Sequence, residues 1–567
     1  MPVHNADIAA IFEEIADLLE IQGANPFRVR AYRNAARTVG EFGRDLAALV
    51  AQGQALPKIP GIGEDLARKI QEIATTGRSG FLERLHRELP ESITELLHVP
   101  GLGPKKVKAL YEQLKVDSLA DLRAAAEAGR IRTLPGFGAK TEQHILEALK
   151  VRAGEPRRFK RVVAAQYAEP LAAALRGVSG VSQVVIAGSY RRCRETVGDL
   201  DLLAVAADAA PVMRRFIGYD EVAEVLAQGA TRASVVLRNG LQVDLRVVPE
   251  ESFGAALAYF TGSKAHNVQL RRRAQARGLK LNEYGLFRGG QRLAGASEEE
   301  IYAALGLPWI PPELREDRGE VEWAERAPLP RLITRADLKG DLHCHTKATD
   351  GANTLREMAV AAQARGLKYL AITDHSQRLR MVHGLDSVRL LKQMEEIDRL
   401  NETLPGIVLL KGIEVDILED GRLDLPDAVL GQLDLVVGSV HSQFDLPPAK
   451  QTARLLRAMD HPHFSILGHP SARELQRRPP MQADWLRVIR HARARGCFLE
   501  LNSQPDRLDL TDTWCRVAKE EGVLVAINSD AHSVHDLDDL EWGIGQARRG
   551  WLSPEDVLNT RPLDELR

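Results

Sequence analysis

The sequence predicts a multidomain α/β protein. It divides into a helical N-terminal part, a central mixed α/β part with acid-bearing strands, and a C-terminal parallel β/α barrel of seven strands. Three observations predict this. The pattern h-P-G-h-G, with h apolar, occurs at Ile59–Gly63, Val99–Gly103 and Leu134–Gly138. A strand-like run carries aspartates at two-residue spacing, Asp199 and Asp201. Beyond residue 339, apolar runs recur near 341–344, 369–373, 407–416, 433–440, 465–468, 497–501 and 523–527, with helical stretches between them. That alternation is the signature of parallel β/α units.

A chain of 567 residues holds several domains, and its 44% hydrophobic content is ordinary for a folded protein. No apolar run is long enough to span a bilayer and no signal peptide is evident, which predicts a cytoplasmic protein with no membrane partner. The four cysteines, Cys193, Cys344, Cys497 and Cys515, form no CxxC pair and read as reduced thiols. Net charge is −2, but its distribution is uneven. Residues 101–200 carry 18 Lys and Arg against 10 Asp and Glu, while residues 339–567 carry 29 against 35. Five histidines precede residue 339 and eleven follow it. The basic middle suits a phosphate backbone and the acid- and histidine-rich end suits metals.

Residues 1–85 read as short helices, and Asn25–Arg33 puts Arg28, Arg30 and Arg33 on about two turns, a basic stretch that could equally be a solvated amphipathic helix. Each glycine turn, at Gly61 and Gly63, at Gly101 and Gly103, and at Gly136 and Gly138, leads into a helix. Glycine permits positive φ there, and a helix N-terminus can face a phosphate without reading sequence. Lys105 and Lys106 follow the second turn.

In the centre, Val184–Ala187 reads as a buried strand and Gly188–Ser189 as a turn. Asp199 and Asp201 then point to one face of a strand, with Leu200 and Leu202 on the other. Asn239-Gly240 marks a hairpin between Ser234–Arg238 and Leu241–Val248, whose second arm places Asp244 on a polar face. Three converging carboxylates repel one another unless divalent cations lie between them, the arrangement that two-metal phosphoryl transfer needs. Residues 307–338, rich in Pro, Glu and Arg, read as a linker wound along the surface. In the barrel, His343, His345, Asp350, His375, Glu414, His441, His469, Asp530 and His532 follow the strand ends, which form one rim in such folds. His383, His461, His463, His491 and His535 carry no such signal.

The run Gly188–Leu203, GSYRRCRETVGDLDLL, resembles the palm of family X DNA polymerases, the group of DNA polymerase beta, and departs from the family's glycine at Cys193. The resemblance implies that Asp199, Asp201 and Asp244 bind two Mg²⁺ ions and that Gly188, Ser189, Arg192 and Gly198 hold the triphosphate. The YFTGS segment at Tyr259–Ser263, with His266 and Asn267, resembles the family's thumb. It implies that Tyr259, Phe260 and Gly262 meet the nucleotide, Asn267 the base edge and Arg271 the template. Asn282–Leu286 is similar to the family's closing strand, and residues 25–36 and 56–70 to its small N-terminal domain. Lys69 then falls where some members use a Schiff-base lysine as a lyase, although Asp65 stands where a second lysine is common. DLHCHTKATDG, AITDHS, GIEVDI, GSVHS, LGHP and NSDAH resemble the PHP (polymerase and histidinol phosphatase) domain, which implies up to three divalent ions, Mn²⁺ or Zn²⁺, on the nine rim residues.

Together these resemble the bacterial and archaeal PolX enzymes. They imply domains at 1–88 (lyase-like, helix-hairpin-helix), 89–153 (two further helix-hairpin-helix motifs), 154–248 (nucleotidyltransferase palm), 249–310 (thumb), 311–338 (linker) and 339–567 (PHP). The expected function is gap-filling DNA synthesis in repair on gapped or primed duplex DNA with dNTPs, by a monomer, with a metal-dependent 3′→5′ exonuclease in the barrel. Cleavage at abasic sites is a further activity such a barrel could carry. Two other readings remain open at this point: a phosphatase acting on a small phosphoester, and a non-catalytic DNA-binding scaffold.

Overall fold

The structure is a computed structural model, and its description covers residues 3–42, 46–52, 56, 59, 62–99, 102–152 and 157–566. The chain forms two compact units, residues 1–158 and 159–567.

The first unit is helical. Its first two helices are longer than the sequence suggests, α1 Asn5–Gln22 and α2 Pro26–Glu41. Gly23 ends α1 in the left-handed conformation at φ 79°, and Asn25 caps α2 by accepting from Phe27 N ahead of Pro26. Three further helices begin at the glycine turns: α3 Glu64–Thr76, α4 Pro104–Leu114 and α5 Ala139–Arg152. The apolar residues of the turns anchor them in one core, with Val99, Leu102, Leu134 and Phe137 buried beside Phe12, Ile70 and Leu110. Arg33 does not join a basic face. Its guanidinium is drawn into the acidic side of α1 by Glu13, Asp17 and Glu20.

In the second unit a short strand, Phe159–Lys160, and a helix, Arg161–Arg176, lead into a five-stranded sheet: β1 Val181–Ile186, β2 Asp199–Ala206, β3 Val222–Gln228, β4 Arg232–Leu237 and β5 Gln242–Val248. The order is β1-β2-β5-β4-β3, with β2 and β5 parallel and the other pairs antiparallel. Leu200, Leu202, Val243 and Leu245 are buried, so period-two alternation holds on both acid-bearing strands. Gly240, at φ 85°, makes the expected hairpin turn. Helices α6 Phe253–Thr261 and α7 Lys264–Ala276 follow, then a three-stranded sheet. Asn282–Leu286 is a correction: it is a hairpin turn, with Asn282 paired to Gly285, not one strand.

Residues 307–338 also differ from expectation. They are not wound over the surface: Leu307, Ile310, Leu314, Val321 and Leu332 share a core with Leu270, Ile301, Tyr302 and the barrel's Trp551. Arg315 is fully buried, its charge met by Glu298 at 2.6 Å. Composition suggested exposure because buried ion pairs are written in the same residues as solvated ones.

The barrel has seven parallel strands in chain order: β6 Gly340–Asp341, β7 Tyr369–Ile372, β8 Val408–Asp416, β9 Leu435–Ser439, β10 Ile466–Leu467, β11 Phe498–Asn502 and β12 Val525–Asn528. A parallel bridge from Cys344 to Ala531 links the last segment to the first, so the barrel is nearly closed. The last long helix, α8 Leu540–Arg549, starts ten residues or so beyond the final rim ligands.

Candidate active sites

On the central sheet, Asp201 and Asp244 are register partners across the parallel β2–β5 pair, and Asp199 lies two residues before Asp201. Gly188, at φ 61°, faces them so closely that a Cβ there would fall 2.3 Å from Asp201 Oδ2. Burial, followed by the charges of Asp199 and Asp244, pushes Asp201 up to about 7 despite Arg192 and Arg246. A largely buried group of hard oxygen donors fits divalent cations such as Mg²⁺. The three acids do not close on a single point, however. Asp244 accepts from Ser234 Oγ and from Gln242 Nε2 at 3.0 Å. Among the described residues, the groups of three or more metal-type ligand atoms lying within 4.8 Å of one another are all in the barrel.

The turn after β1 is a short helix, Gly188–Arg191, followed by Cys193 at φ 56°. That conformation explains why glycine suits this place and shows that cysteine also fits. Arg191 donates twice to Glu298, at 2.8 Å each. Arg192, expected to meet a triphosphate, is engaged by the protein: Nε donates to Glu316 Oε1 at 3.0 Å and Nη1 to the Thr261 carbonyl at 2.6 Å. Gly262, at φ 70°, lies beside it, where a Cβ would be 3.1 Å from Arg192 Nη1. Tyr259 and Phe260 stack edge to face at 5.1 Å. Tyr259, Asn267 and Arg271 line one cleft with Asn282. There Asn267 Nδ2 donates to the Tyr259 carbonyl at 2.6 Å and Arg271 Nε to the Asn267 carbonyl at 3.3 Å. Ser189 and Gly198 sit on the same turn and at the entry to β2.

The barrel rim gathers all nine expected residues. Three groups form: His345, Asp350, His375 and His532; His343, His345 and Asp530; and His375, Glu414 and His441. His469 joins through Glu414, at 2.8 Å. His469 and Asp530 hold φ at 26° and 53°, backbone conformations rare outside glycine and typical of functional sites. His345 ring nitrogen Nδ1, His343 Nε2, Asp350 Oδ1 and Glu414 Oε2 are buried without a hydrogen-bond partner. His375 Nδ1 and Glu414 Oε2 lie 2.6 Å apart, yet neither has hydrogen-bond geometry. Buried orphans of this kind cost 1–3 kcal/mol each, about the scale that ligation would recover, so the donor set fits divalent transition metals. Electrostatics agree. Burial pushes Glu414 and Asp530 up, but the surrounding imidazoles outweigh it and hold both carboxyls well below the usual range. Burial and the neighbouring His532 and His375 lower His345 to about 4, while Asp350 overcomes burial to raise His532 to about 9.

Sequence reasoning missed the residues behind the ligands. Glu500, fully buried in β11, accepts from His343 Nδ1 at 2.7 Å, from Asn528 Nδ2 at 2.9 Å and from the His469 amide. Asp416 sits 3.1 Å from His441 Nδ1. Such carboxylates fix the tautomer of a ligating imidazole. The available signal was an acid inside an otherwise apolar strand. Of the histidines given no role, His461 and His491 pair with Asp427 and Asp460 away from the rim.

In the first unit, Gly63, Gly103, Gly136 and Gly138 are exposed, and a Cβ on any of them would meet nothing within 4 Å. Among the described glycines of these turns, Gly136, the first of its pair, takes positive φ at 81°, whereas Gly63 and Gly103, each the second of its pair, are extended helix caps at −77° and −87°. Gly61 and Gly101 lie outside the described residues. Lys105 is exposed, and Lys106 lies over the Phe137 ring at 5.5 Å, bringing the second and third turns together. Lys69 lines a cavity of about 230 Å³ with Asp65, Arg68, Phe81 and Arg84. Its ammonium is paired with Asp65, and that hydrogen bond holds the Asp65 carboxyl below its usual value.

These features define a polymerase-type nucleotidyltransferase joined to a metal-type phosphoesterase barrel. Comparison with known proteins agrees region by region. Family profiles match a helix-hairpin-helix domain at residues 3–79, a SAM-like helix-hairpin-helix tandem at 93–151, the DNA polymerase beta thumb at 256–316 and the PHP domain at 341–504. A DNA polymerase/3′-5′ exonuclease PolX of Bacillus subtilis is 40% identical over 568 residues, covering 100% of this chain and 99% of that protein. Probable phosphatases of Thermoanaerobacter sp. and Acetivibrio thermocellus are 31% and 30% identical, over 39% and 34% of this chain and 89% and 78% of their own lengths. The chain belongs to the PolX family of DNA polymerase/3′-5′ exonucleases. No described helix is long and apolar enough to cross a membrane.

Proposed function

We propose that this protein fills short gaps in duplex DNA during repair and that its barrel removes nucleotides from 3′ ends. One observation carries the reading: a single chain holds both the acid face of β2 and β5 and a rim of nine metal-type ligands. The full-length relative bears both activities in its name.

In this reading Asp199, Asp201 and Asp244 hold two Mg²⁺ ions, and Gly188 leaves room for them beside Asp201. Ser189, Arg192 and Gly198 take the triphosphate. Tyr259, Phe260 and Gly262 take the nucleotide sugar, Asn267 the base edge and Arg271 the template strand. The nine rim residues hold up to three Mn²⁺ or Zn²⁺ ions. Bound there, the ions supply an activated water and neutralise phosphate charge. Glu500 and Asp416 keep His343 and His441 turned inward. The glycine turns, with Lys105 and Lys106, hold DNA phosphates without reading bases. The protein acts as a monomer in the cytoplasm, and the domain limits follow the boundaries drawn from the sequence.

The deciding assay uses a 5′-labelled primer on gapped DNA, with Mg²⁺ or Mn²⁺, with and without dNTPs. Extension with dNTPs and shortening without them is the expected result. Hydrolysis of a small phosphoester without action on DNA would instead favour the phosphatase reading. A lyase role for Lys69 has its own test, borohydride trapping on DNA with a 5′-deoxyribose phosphate. A paired ammonium has no lone pair to attack with, so Asp65→Asn is expected to trap better than wild type, and Lys69→Ala not at all. Equal trapping by Lys69→Ala would exclude this amine as the sole nucleophile.

A further inference from the structure

Helix α8 belongs to the barrel, yet one of its faces is built against the glycine turn of the central sheet. Trp542, Gly545, Gln546 and Arg549 fall at i, i+3, i+4 and i+7, a single stripe. Arg161, the first residue of the helix Arg161–Arg176 that precedes the sheet, lies over the Trp542 ring at 4.7 Å. A Cβ at Gly545 would approach Arg161 Nη2 to 3.0 Å and Cys193 Cβ to 3.2 Å, so glycine is what lets the turn come this close. Gln546 Nε2 points at Glu195 Oε2 at 3.4 Å, and the barrel's Arg473 donates to the same oxygen at 2.7 Å.

Arg549 reaches furthest. Its Nη1 donates to the Arg192 carbonyl and to Glu316 Oε1, both at 2.8 Å, and its Nη2 to Asp512 Oδ2 at 2.8 Å. Glu316 Oε1 is the same atom that receives Arg192 Nε at 3.0 Å. One carboxylate oxygen is therefore shared by a palm guanidinium and a barrel guanidinium, and both arginines and Glu316 are largely buried. With Nε on Glu316 and Nη1 on Thr261, Arg192 is held with its remaining nitrogen, Nη2, in a set direction. No hydrogen bond from Nη2 is found among the described residues.

We propose that Arg549 of the barrel is a positioning residue for polymerisation: by holding Glu316 and the Arg192 carbonyl, it aims the Arg192 guanidinium at the triphosphate of the incoming nucleotide. The inference rests on the reading of Arg192 as a phosphate ligand. It makes the barrel part of the nucleotide site with no contribution from barrel metals. Removing Arg549 leaves Glu316 with Arg192 and the more distant Arg194, whose Nη1 is 3.9 Å from its other oxygen, and takes away the barrel's hydrogen bond to the Arg192 carbonyl. Nucleotide binding then weakens while the chemistry of the acids is untouched.

The test is steady-state gap filling by full-length protein, with KM for dNTP and kcat determined separately, alongside exonuclease activity of the same preparations. Arg549→Gln is expected to raise KM about tenfold, the scale of losing one charged hydrogen bond, with kcat and exonuclease activity within about twofold. Arg549→Lys, which keeps the charge, is expected to recover part of the loss. Because Arg549 acts through Glu316, Arg549→Gln combined with Glu316→Gln is expected to be no worse than the poorer single variant, whereas independent effects would multiply. Arg192→Ala is the control. If it raises KM and Arg549→Gln does not, the positioning role is wrong and the phosphate reading stands. If Arg192→Ala leaves KM unchanged, the phosphate reading fails and takes the inference with it. Equal loss of kcat, KM and exonuclease activity in Arg549→Gln, with additive behaviour in the double variant, would reduce Arg549 to a structural strut and overturn the proposal. Should Arg549→Gln not fold, Arg549→Lys against Glu316→Gln decides it, since unchanged KM in both would refute the mechanism.

Discussion

Replacing Glu298 by glutamine isolates what holds the thumb to the glycine turn. Glu298 is almost fully buried and accepts from both Nη nitrogens of Arg191 and both of Arg315. Burial alone would push its carboxyl up, but the Arg315 and Arg191 charges outweigh burial and hold it at about 2, against an ordinary value of 4.5. Because the folded value lies below the unfolded one, the carboxylate stabilises the fold above pH 4.5, and that stability is lost as pH falls towards 2. The difference corresponds to about 3 kcal/mol at pH 6, shrinking to about 1 kcal/mol at pH 3. Glu298→Gln should therefore cost about 3 kcal/mol near neutrality and progressively less in acid, because glutamine imitates the protonated acid. The assay is amide hydrogen exchange on segments covering residues 298–316 in wild type and variant, from pH 6 to pH 3 after correction for intrinsic rates. Taking the difference between the two proteins cancels other carboxylates. A cost that does not change with pH, or one below about 1 kcal/mol at pH 6, would refute the claim that the two arginines hold this acid ionised.

Other predictions address the two chemistries directly. Asp244→Ala should abolish nucleotide addition and leave DNA degradation near wild type; loss of both in folded protein would sink the two-site reading. His345→Ala should cut exonuclease activity at least tenfold, about 1.4 kcal/mol in barrier, while gap filling in Mg²⁺ persists. Normal degradation by that variant in every metal would remove the barrel from nuclease chemistry. Binding a cation at the rim requires neutral imidazole, and Asp350 holds His532 up to about 9, so Mn²⁺ binding near pH 7.5 should release protons. Calorimetry in buffers of different ionisation heat reads this, and buffer-independent heats would contradict the charge state assigned to His532. Lys105→Glu with Lys106→Glu should weaken binding to unrelated DNA sequences alike and flatten its salt dependence, measured by anisotropy across salt. Unchanged affinity would leave the second glycine turn a purely structural role.

The parts legible in advance were those where chemistry and geometry share a short repeat. A two-residue period sent Asp199 and Asp201 to one face and buried Leu200 and Leu202, and the strand ends of the barrel collected nine ligands from across nearly 200 residues. What stayed hidden depends on contacts between distant segments. Nothing local to Glu316 or Arg315 distinguishes a buried partner from a solvated charge, so residues 307–338 read as a surface linker although Arg315 lies in a core. Glu500 carries no signal of this kind, because it supports His343 from within a strand and not from the rim beyond one. A helix cap and a left-handed turn both favour glycine, so residue type alone does not separate the cap positions Gly63 and Gly103 from the turn position Gly136.

The burial of Trp551 has a consequence for separability. This side chain comes from the end of the barrel but sits against Trp323 at 5.8 Å and fills the same core as Leu314 and Val321. A polypeptide ending at residue 338 would lose that plug and leave Glu195, Glu316 and Arg161 facing water where the barrel had met them. Neither catalytic half of residues 159–567 is thus a module that could be detached, exchanged or inherited alone without new surface residues. Decay of the rim would leave these contacts intact, whereas loss of the outer helix would also demand new surface residues on the palm.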